Sequence, residues 1–235
     1  MKKLLSIAFS ALLLGQQSDI IDKITGKGGA KPVIALPDFR GSGEAQGLMN
    51  TFNAKLFAEI ESSGALRIAP KGMYPLTVPQ QPEDFKPPLR PAGRPEVKQG
   101  PWLSDWSAAP VEATYLAFGY ASVQNGRLAL FGWLFDVTQQ DVKNANVFGK
   151  IYFGSLDEEG AKKVATEFAV DILAKLGFKS LAGSKIYFVS NRSGAKEIWS
   201  MDYDGENQKA LTRYGSTVVS PALSPDNSKI AFTRL

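Results

Sequence analysis

The sequence predicts an α/β (α+β) N-terminal domain with a mixed sheet and two main helices, followed by about one blade of a truncated β-propeller. Three observations carry this prediction. Residues 44–63 and 155–176 repeat apolar side chains at helical spacing between strand-like runs. Asn125-Gly126 lies between two alternating apolar runs, a strong hairpin signal because both residues tolerate positive φ. Ser-Lys-Ile-x-Phe occurs at Ser184 and again at Ser228, an offset of 44 residues, which is the length of one propeller blade.

In chain order, Lys2 and Lys3 precede an apolar stretch from Leu4 to Leu14. That length suits the core of an exported leader, residues 1–15, and is too short to span a bilayer. Gly15 is a small residue at the expected cleavage point, but Leu13 fits it poorly, and a buried N-terminal helix is the other reading. Residues 16–31 are polar and glycine-bearing, with Ile20, Ile21 and Ile24 as their apolar members, and read as a flexible mature N-terminus.

A domain is expected over 32–180. Val33 to Leu36 reads as a strand. Leu48, Phe52, Leu56 and Ile60 then recur every four residues, predicting a helix over Glu44–Ser63 with Gly64 just past its end. Ala65–Ala69 reads as a second strand, parallel to the first in a right-handed βαβ unit. Ten of the 14 prolines fall between Pro70 and Pro110. Proline removes a backbone donor and fixes φ, so no regular helix or central strand is expected there. A covering loop pinned by Trp102 and Trp106 is favoured over a proline-rich ligand for an aromatic groove. Residues 114–123 and 127–138 are predicted as paired antiparallel strands, with a further strand at 147–154. Ser155 and Glu158 have capping-box spacing. They open a helix carrying Val164, Phe168, Ile172 and Leu176 on one face and closed by Gly177.

From 184 to 235 four short strands with turn signals are expected to form one partial propeller repeat: 184–190, a run into the Asp204-Gly205 turn, 209–212, and the stretch from Ser216.

Composition narrows the chemistry. The chain has no cysteine and no histidine. Disulfides, thiolate metal sites, cysteine nucleophiles and histidine-based acid–base catalysis are therefore excluded for this sequence. Its formal charge of +4 includes the two leader lysines, and the rest is scattered in sign, which argues against nucleic acid. Gly41-x-Gly43-x-x-x-Gly47 follows a strand, as in a dinucleotide-binding turn. However, Pro37–Arg40 intervenes, and no carboxylate ends the second strand to hold a ribose. Tight chain reversal is the expected use of these glycines, and neither nucleotide nor cofactor is expected. Ser193 and Lys196 have Ser-x-x-Lys spacing but fall in a turn between strands. Asp157, Glu158 and Glu159 suit the first turn of a helix. Asp202, Asp204 and Glu206 do not follow the calcium-loop pattern. No catalytic, cofactor-binding or metal residue is assigned.

The repeat carries a specific resemblance. "SPDNSKIAF", with Ser224, Pro225, Asp226, Ile230 and Phe232, resembles the Ser-Pro-Asp-Gly-x-x-Ile-x-Phe signature of the TolB-type propeller repeat. Asn227 stands in the glycine position and also tolerates a left-handed turn. "NRSGAKEIWSMDYDGENQKALT" resembles the rest of that repeat, and the N-terminal layout matches the family's other domain. The sequence is identified as a member of the TolB family.

The resemblance implies a non-catalytic periplasmic adaptor of the Tol–Pal envelope-integrity and cell-division system. Its implied partners are the peptidoglycan-associated lipoprotein and inner-membrane Tol proteins. Residues Gln16, Ile20, Ile21 and Ile24 are the candidate partner-binding arm, although they do not match the family's arm motif. The family's propeller has six blades, and a single repeat leaves strand edges and faces uncovered. The sequence is therefore expected to be a fragment, unless the repeat pairs with something else. Two alternatives remain. One is the propeller portion of a serine peptidase of the prolyl-oligopeptidase type, which would need a nucleophile elbow and a histidine absent from this sequence. The other is a stand-alone ligand-sensing propeller protein.

Overall fold

The computed structural model describes residues 30–235. The expected leader and arm lie outside these residues. The chain runs β1 (Val33–Ala35), β2 (Arg40–Gly41), α1 (Met49–Ser63), β3 (Arg67–Ile68), α2 (Ser104–Ser107), β4 (Tyr115–Gln124) and β5 (Arg127–Asp136). It continues through α3 (Val142–Ala145), β6 (Asn146–Gly154) and α4 (Glu158–Lys175) to β7 (Lys185–Ser190), β8 (Glu197–Asp202), β9 (Lys209–Ala210), β10 (Val218–Leu223) and β11 (Ile230–Arg234).

The first six strands form one mixed sheet, in the order β3-β1-β4-β5-β6 with β2 beside β4. β1 runs parallel to β3 and to β4, and β4, β5 and β6 are antiparallel. The β1–α1–β3 segment is the parallel crossover unit that the sequence predicts. Gly64 closes α1 at φ 62°, a left-handed conformation that costs a glycine little. The hairpin turn is also as expected, with Asn125 at φ 50° and Gly126 at φ 71°. Gly126→Ala is expected to cost about 1 kcal/mol, the penalty of a Cβ at left-handed φ, and a urea melt of the variant measures it.

Two helix starts differ from expectation. Gly43–Leu48 is a 3-10 segment, and the α-helix begins only at Met49. Gly43 at φ 57° and Gly47 weaken the α-helical option over this stretch, and the tighter turn buries Ala45. At α4 the Ser155–Glu158 capping box does not form. Asp157 is the N-cap and accepts the Gly160 N–H at 2.7 Å, while the Ser155 hydroxyl donates to the Asp157 carboxylate at 2.6 Å. The carboxylate is the stronger acceptor and complements the helix dipole, so the serine serves to orient it.

The sheet is covered on both faces, by different means. On one face lie the two main helices: Phe52, Leu56 and Ile60 of α1 and Val164, Phe168 and Ile172 of α4 pack with Leu128, Leu130 and Leu134 of β5. On the other face Phe85, Leu103 and Trp106 of the proline-rich segment pack with Leu116, Phe118 and Phe135. Phe85 stacks on Phe135 at 5.4 Å and meets Phe118 edge-on at 5.5 Å. The covering-loop expectation therefore holds. Prolines supply a chain that needs few hydrogen bonds, and its aromatic side chains replace a helix layer.

Beyond α4 the expected four-stranded unit is not present. β7, β8 and β9 form a three-stranded antiparallel sheet, and β10 pairs only with β11 in a separate hairpin. β9 is two residues long, and the N–H groups of Leu211 and Thr212 beyond it both turn back to the Ile198 carbonyl. That leaves β10 to pair through its own turn. The two sheets touch where the Val218 N–H donates to the Lys196 carbonyl at 2.7 Å. Neither sheet is closed.

Candidate interaction surfaces

The repeat signature builds a turn. Pro225 sets φ at the second position of the reversal between β10 and β11, and the Asn227 N–H closes it onto the Ser224 carbonyl at 2.9 Å. The Ser224 hydroxyl donates to Asp226 at 2.6 Å and accepts the Lys229 N–H at 3.0 Å. Asp226 also accepts the Ser228 N–H at 3.1 Å and the Ser228 hydroxyl at 2.8 Å. Asn227 holds φ 58°, which explains why asparagine can replace glycine here. Ile230 is half-buried, and Phe232 packs against Tyr214 at 5.8 Å.

The donors around Asp226, led by the Ser224 hydroxyl, pull its pKa down to about 2. A depressed carboxylate contributes stability above its ordinary value of 3.8 and loses it as pH falls through the folded value. A carboxyl NMR titration should find the Asp226 midpoint near pH 2, with the hairpin's stability declining as pH falls from 3.8 towards that value.

β8 begins with a buried polar cluster. Glu197 accepts the Thr212 hydroxyl at 2.5 Å and the Gly215 N–H at 2.8 Å, and the Thr212 oxygen accepts the Ile198 N–H at 2.9 Å. These bonds, first the one from Thr212, hold the Glu197 carboxyl below its usual range. The cluster ties the return from β9 to β8. Every bond in it is local to this sheet, so it serves the fold.

The acidic turn Asp202–Glu206 meets the helix layer. Lys55 of α1 lies between Glu59, one turn along at 3.2 Å, and Asp204, to which it is directly hydrogen-bonded; Glu206 lies at 4.0 Å. Lys162 of α4 reaches Glu206 at 3.8 Å, and Thr166 donates to Glu59 at 2.9 Å. Lys185 holds Asp202 at 2.5 Å. Burial opposes the charge on Lys55, yet its bonds to Asp204 and Glu59 raise its pKa overall. Burial likewise opposes ionisation of Asp204, and the Lys55 bond outweighs it to lower the pKa. All three acidic residues of the turn are thus committed to lysines. Among the described residues no group of three or more acidic side chains is placed to hold a metal ion.

The glycine turn before α1 also has a structural use. A Cβ on Gly41 would lie 2.6 Å from the backbone of Ala45 and of Gln46, and the Gly41 N–H is bonded to the Gln46 side chain at 2.9 Å. The missing side chain makes room for the protein's own backbone. Ser193 and Lys196 lie in or beside the β7–β8 turn, as expected. Gln16, Ile20, Ile21 and Ile24 lie outside the described residues. No helix among the described residues is long and apolar enough to cross a membrane.

Sequence reasoning missed Lys55 and Glu59. Their spacing on α1 reads as an ordinary solvated ion pair, and nothing local marks a partner 149 residues away.

No protein-family model matches the chain. Among curated proteins, the protein TolB homolog of Chlorobium chlorochromatii is 40% identical over 124 residues, 52% of this chain and 27% of that protein. The TolB homolog of Chlorobium luteolum is 46% identical over 88 residues, 37% of this chain and 20% of its own length. This chain is a relative of the TolB proteins. A longer match, 26% identical over 212 residues, covers 90% of the chain and 43% of the Tol-Pal system protein TolB of Nitrosomonas europaea. Among solved structures, TolB from Acinetobacter baumannii superposes with a TM-score of 0.58 at 19% identity, covering 87% of this chain and 44% of that one. That likeness concerns the fold. The chain spans between about a fifth and less than half of the length of these TolB relatives.

Proposed function

We propose that this chain is part of a periplasmic, non-catalytic adaptor of the Tol–Pal system. The observation that carries the reading is the TolB-type signature turn at Ser224–Phe232, in a chain whose curated relatives are named TolB. In this reading the strands from β7 onward are the start of a propeller that binds the peptidoglycan-associated lipoprotein. The N-terminal arm around Gln16–Ile24 and the α/β unit serve inner-membrane Tol proteins. The reading is supported by side chains that serve packing, turns and ion pairing, and by a sequence without histidine or cysteine to run acid–base or thiolate chemistry.

Envelope fractionation of the source organism tests the compartment. The protein is expected in the periplasmic fraction and in complexes captured on the lipoprotein. A cytoplasmic location, or capture that an unrelated envelope protein reproduces, would overturn the reading.

A further inference from the structure

An open groove of about 1370 Å³ runs along the β3 edge of the main sheet, between the outer flank of α1 and the start of the proline-rich segment. Of the contacts described above, only the bond from the Gly41 N–H to the Gln46 side chain borders it. Three features define what it can hold.

First, its floor is a free strand edge. β3 is the terminal strand, and the N–H groups of Arg67 and Ala69 point inward, to the Pro32 and Ile34 carbonyls at 3.0 and 2.9 Å. The alternation along a strand therefore turns the Ile68 N–H and C=O outward, where they offer a ladder to an added strand. Second, part of its lining is apolar, from Phe57 of α1, Leu66, Leu76 and Val78, interspersed with polar side chains. Leu76 is fully exposed at the rim of the groove. Third, it is positively charged. Lys31, Arg40, Arg67 and Lys71 line it against Asp38 and Glu61. Lys71 pairs with Asp38, whereas among the described residues Lys31, Arg40 and Arg67 have no carboxylate within 4 Å.

We propose that this groove binds an extended segment of a partner protein, with alternating apolar and acidic residues, added as a strand beside β3. Main-chain bonds to Ile68 supply the register, the apolar part of the lining takes alternate side chains, and the free cations select carboxylates. The proposal rests on the groove alone and does not depend on the Tol–Pal reading.

The test is selection of random ten-residue peptides displayed against the full chain. The expected consensus alternates apolar residues with Asp or Glu. A selected peptide should slow exchange of the Ile68 amide, and each of Arg67→Glu and Leu76→Asp should weaken its binding about tenfold, the loss of one good contact. Leu76 is solvent-exposed, so that variant reports on binding even if Arg67→Glu disturbs the short β3. A consensus without acidic residues, binding to both variants as tight as to wild type, or protection elsewhere would overturn the proposal. So would an Ile68 amide already protected without peptide and released by Ile20→Asp with Ile21→Asp. In that case the chain's own Asp19–Asp22 stretch fills the groove.

Discussion

Gly119→Ala is expected to destabilise the main sheet by about 3 kcal/mol, at the upper end of overpacking costs. A Cβ at Gly119 would lie 1.9 Å from the Phe131 carbonyl oxygen and 2.7 Å from the Phe39 ring. Neither can yield easily. The oxygen belongs to the β4–β5 ladder, and Phe39 is held between Phe52 at 5.1 Å and Phe168 at 5.8 Å. Gly119 sits directly opposite Gly132, where a Cβ would meet the Phe168 ring at 2.9 Å. The facing glycines thus leave a hollow in the helix-side face of the sheet, and two phenylalanine rings fill it. For a chain of this size the loss corresponds to a fall of roughly 6–12 °C in Tm. Scanning calorimetry of Gly119→Ala beside Gly126→Ala makes the comparison, since the turn variant should fall by about a third as much. Equal shifts would mean that the hollow does not constrain the sheet.

Lys55→Met is the second large effect, expected at about 3 kcal/mol. Removing one member of a buried ion cluster leaves the others desolvated and unpaired. Glu59 is 3% exposed, and the Lys55 and Asp204 side chains are 13% and 12% exposed. Without Lys55, Glu59 keeps only Thr166, and Asp204 loses its cation. Asp204→Leu in the Lys55→Met background should recover part of the loss, because it removes a stranded charge. The pH dependence has a definite sign. The depressed pKa of Asp204 contributes stability above its ordinary 3.8 and loses it as pH falls through the folded value, so the contact weakens in acid below about pH 4. The raised pKa of Lys55 contributes fully below 10.5 and loses its effect as pH rises through the folded value. Chemical denaturation of wild type and variant from pH 3 to pH 8 should show their difference shrinking at the acid end. A constant difference would assign the effect of Lys55 to packing of its stem.

The parts of the fold legible in the sequence are those with a local physical signature. The apolar spacing of Phe52, Leu56 and Ile60 marks α1, and that of Val164, Phe168 and Ile172 marks α4. Asn125-Gly126 marks the hairpin because two adjacent positive φ values leave few other residue choices. Ser224, Pro225 and Asp226 mark a turn through hydrogen bonds within a few residues.

What stayed hidden depends on contacts between distant segments. Gly119 and Gly132 are unremarkable until their strands are aligned and the two rings are in place. The proline-rich segment covers a particular face of the sheet through Phe85, Leu103 and Trp106, and only the tryptophan stood out in the sequence. β10 sits in a strand-like run, but its choice of β11 as partner is a matter of competing edges, which alternation does not encode. The role of Asp204 followed the same pattern. Its turn was visible, whereas its cation comes from α1.

The proposed function is binding to envelope proteins. Its most direct test is calorimetric titration of the purified, folded protein with the soluble domain of the peptidoglycan-associated lipoprotein, and separately with the periplasmic domain of an inner-membrane Tol protein. The account predicts saturable binding to at least one of the two. Absence of heat with both, from protein that still unfolds cooperatively, would contradict it.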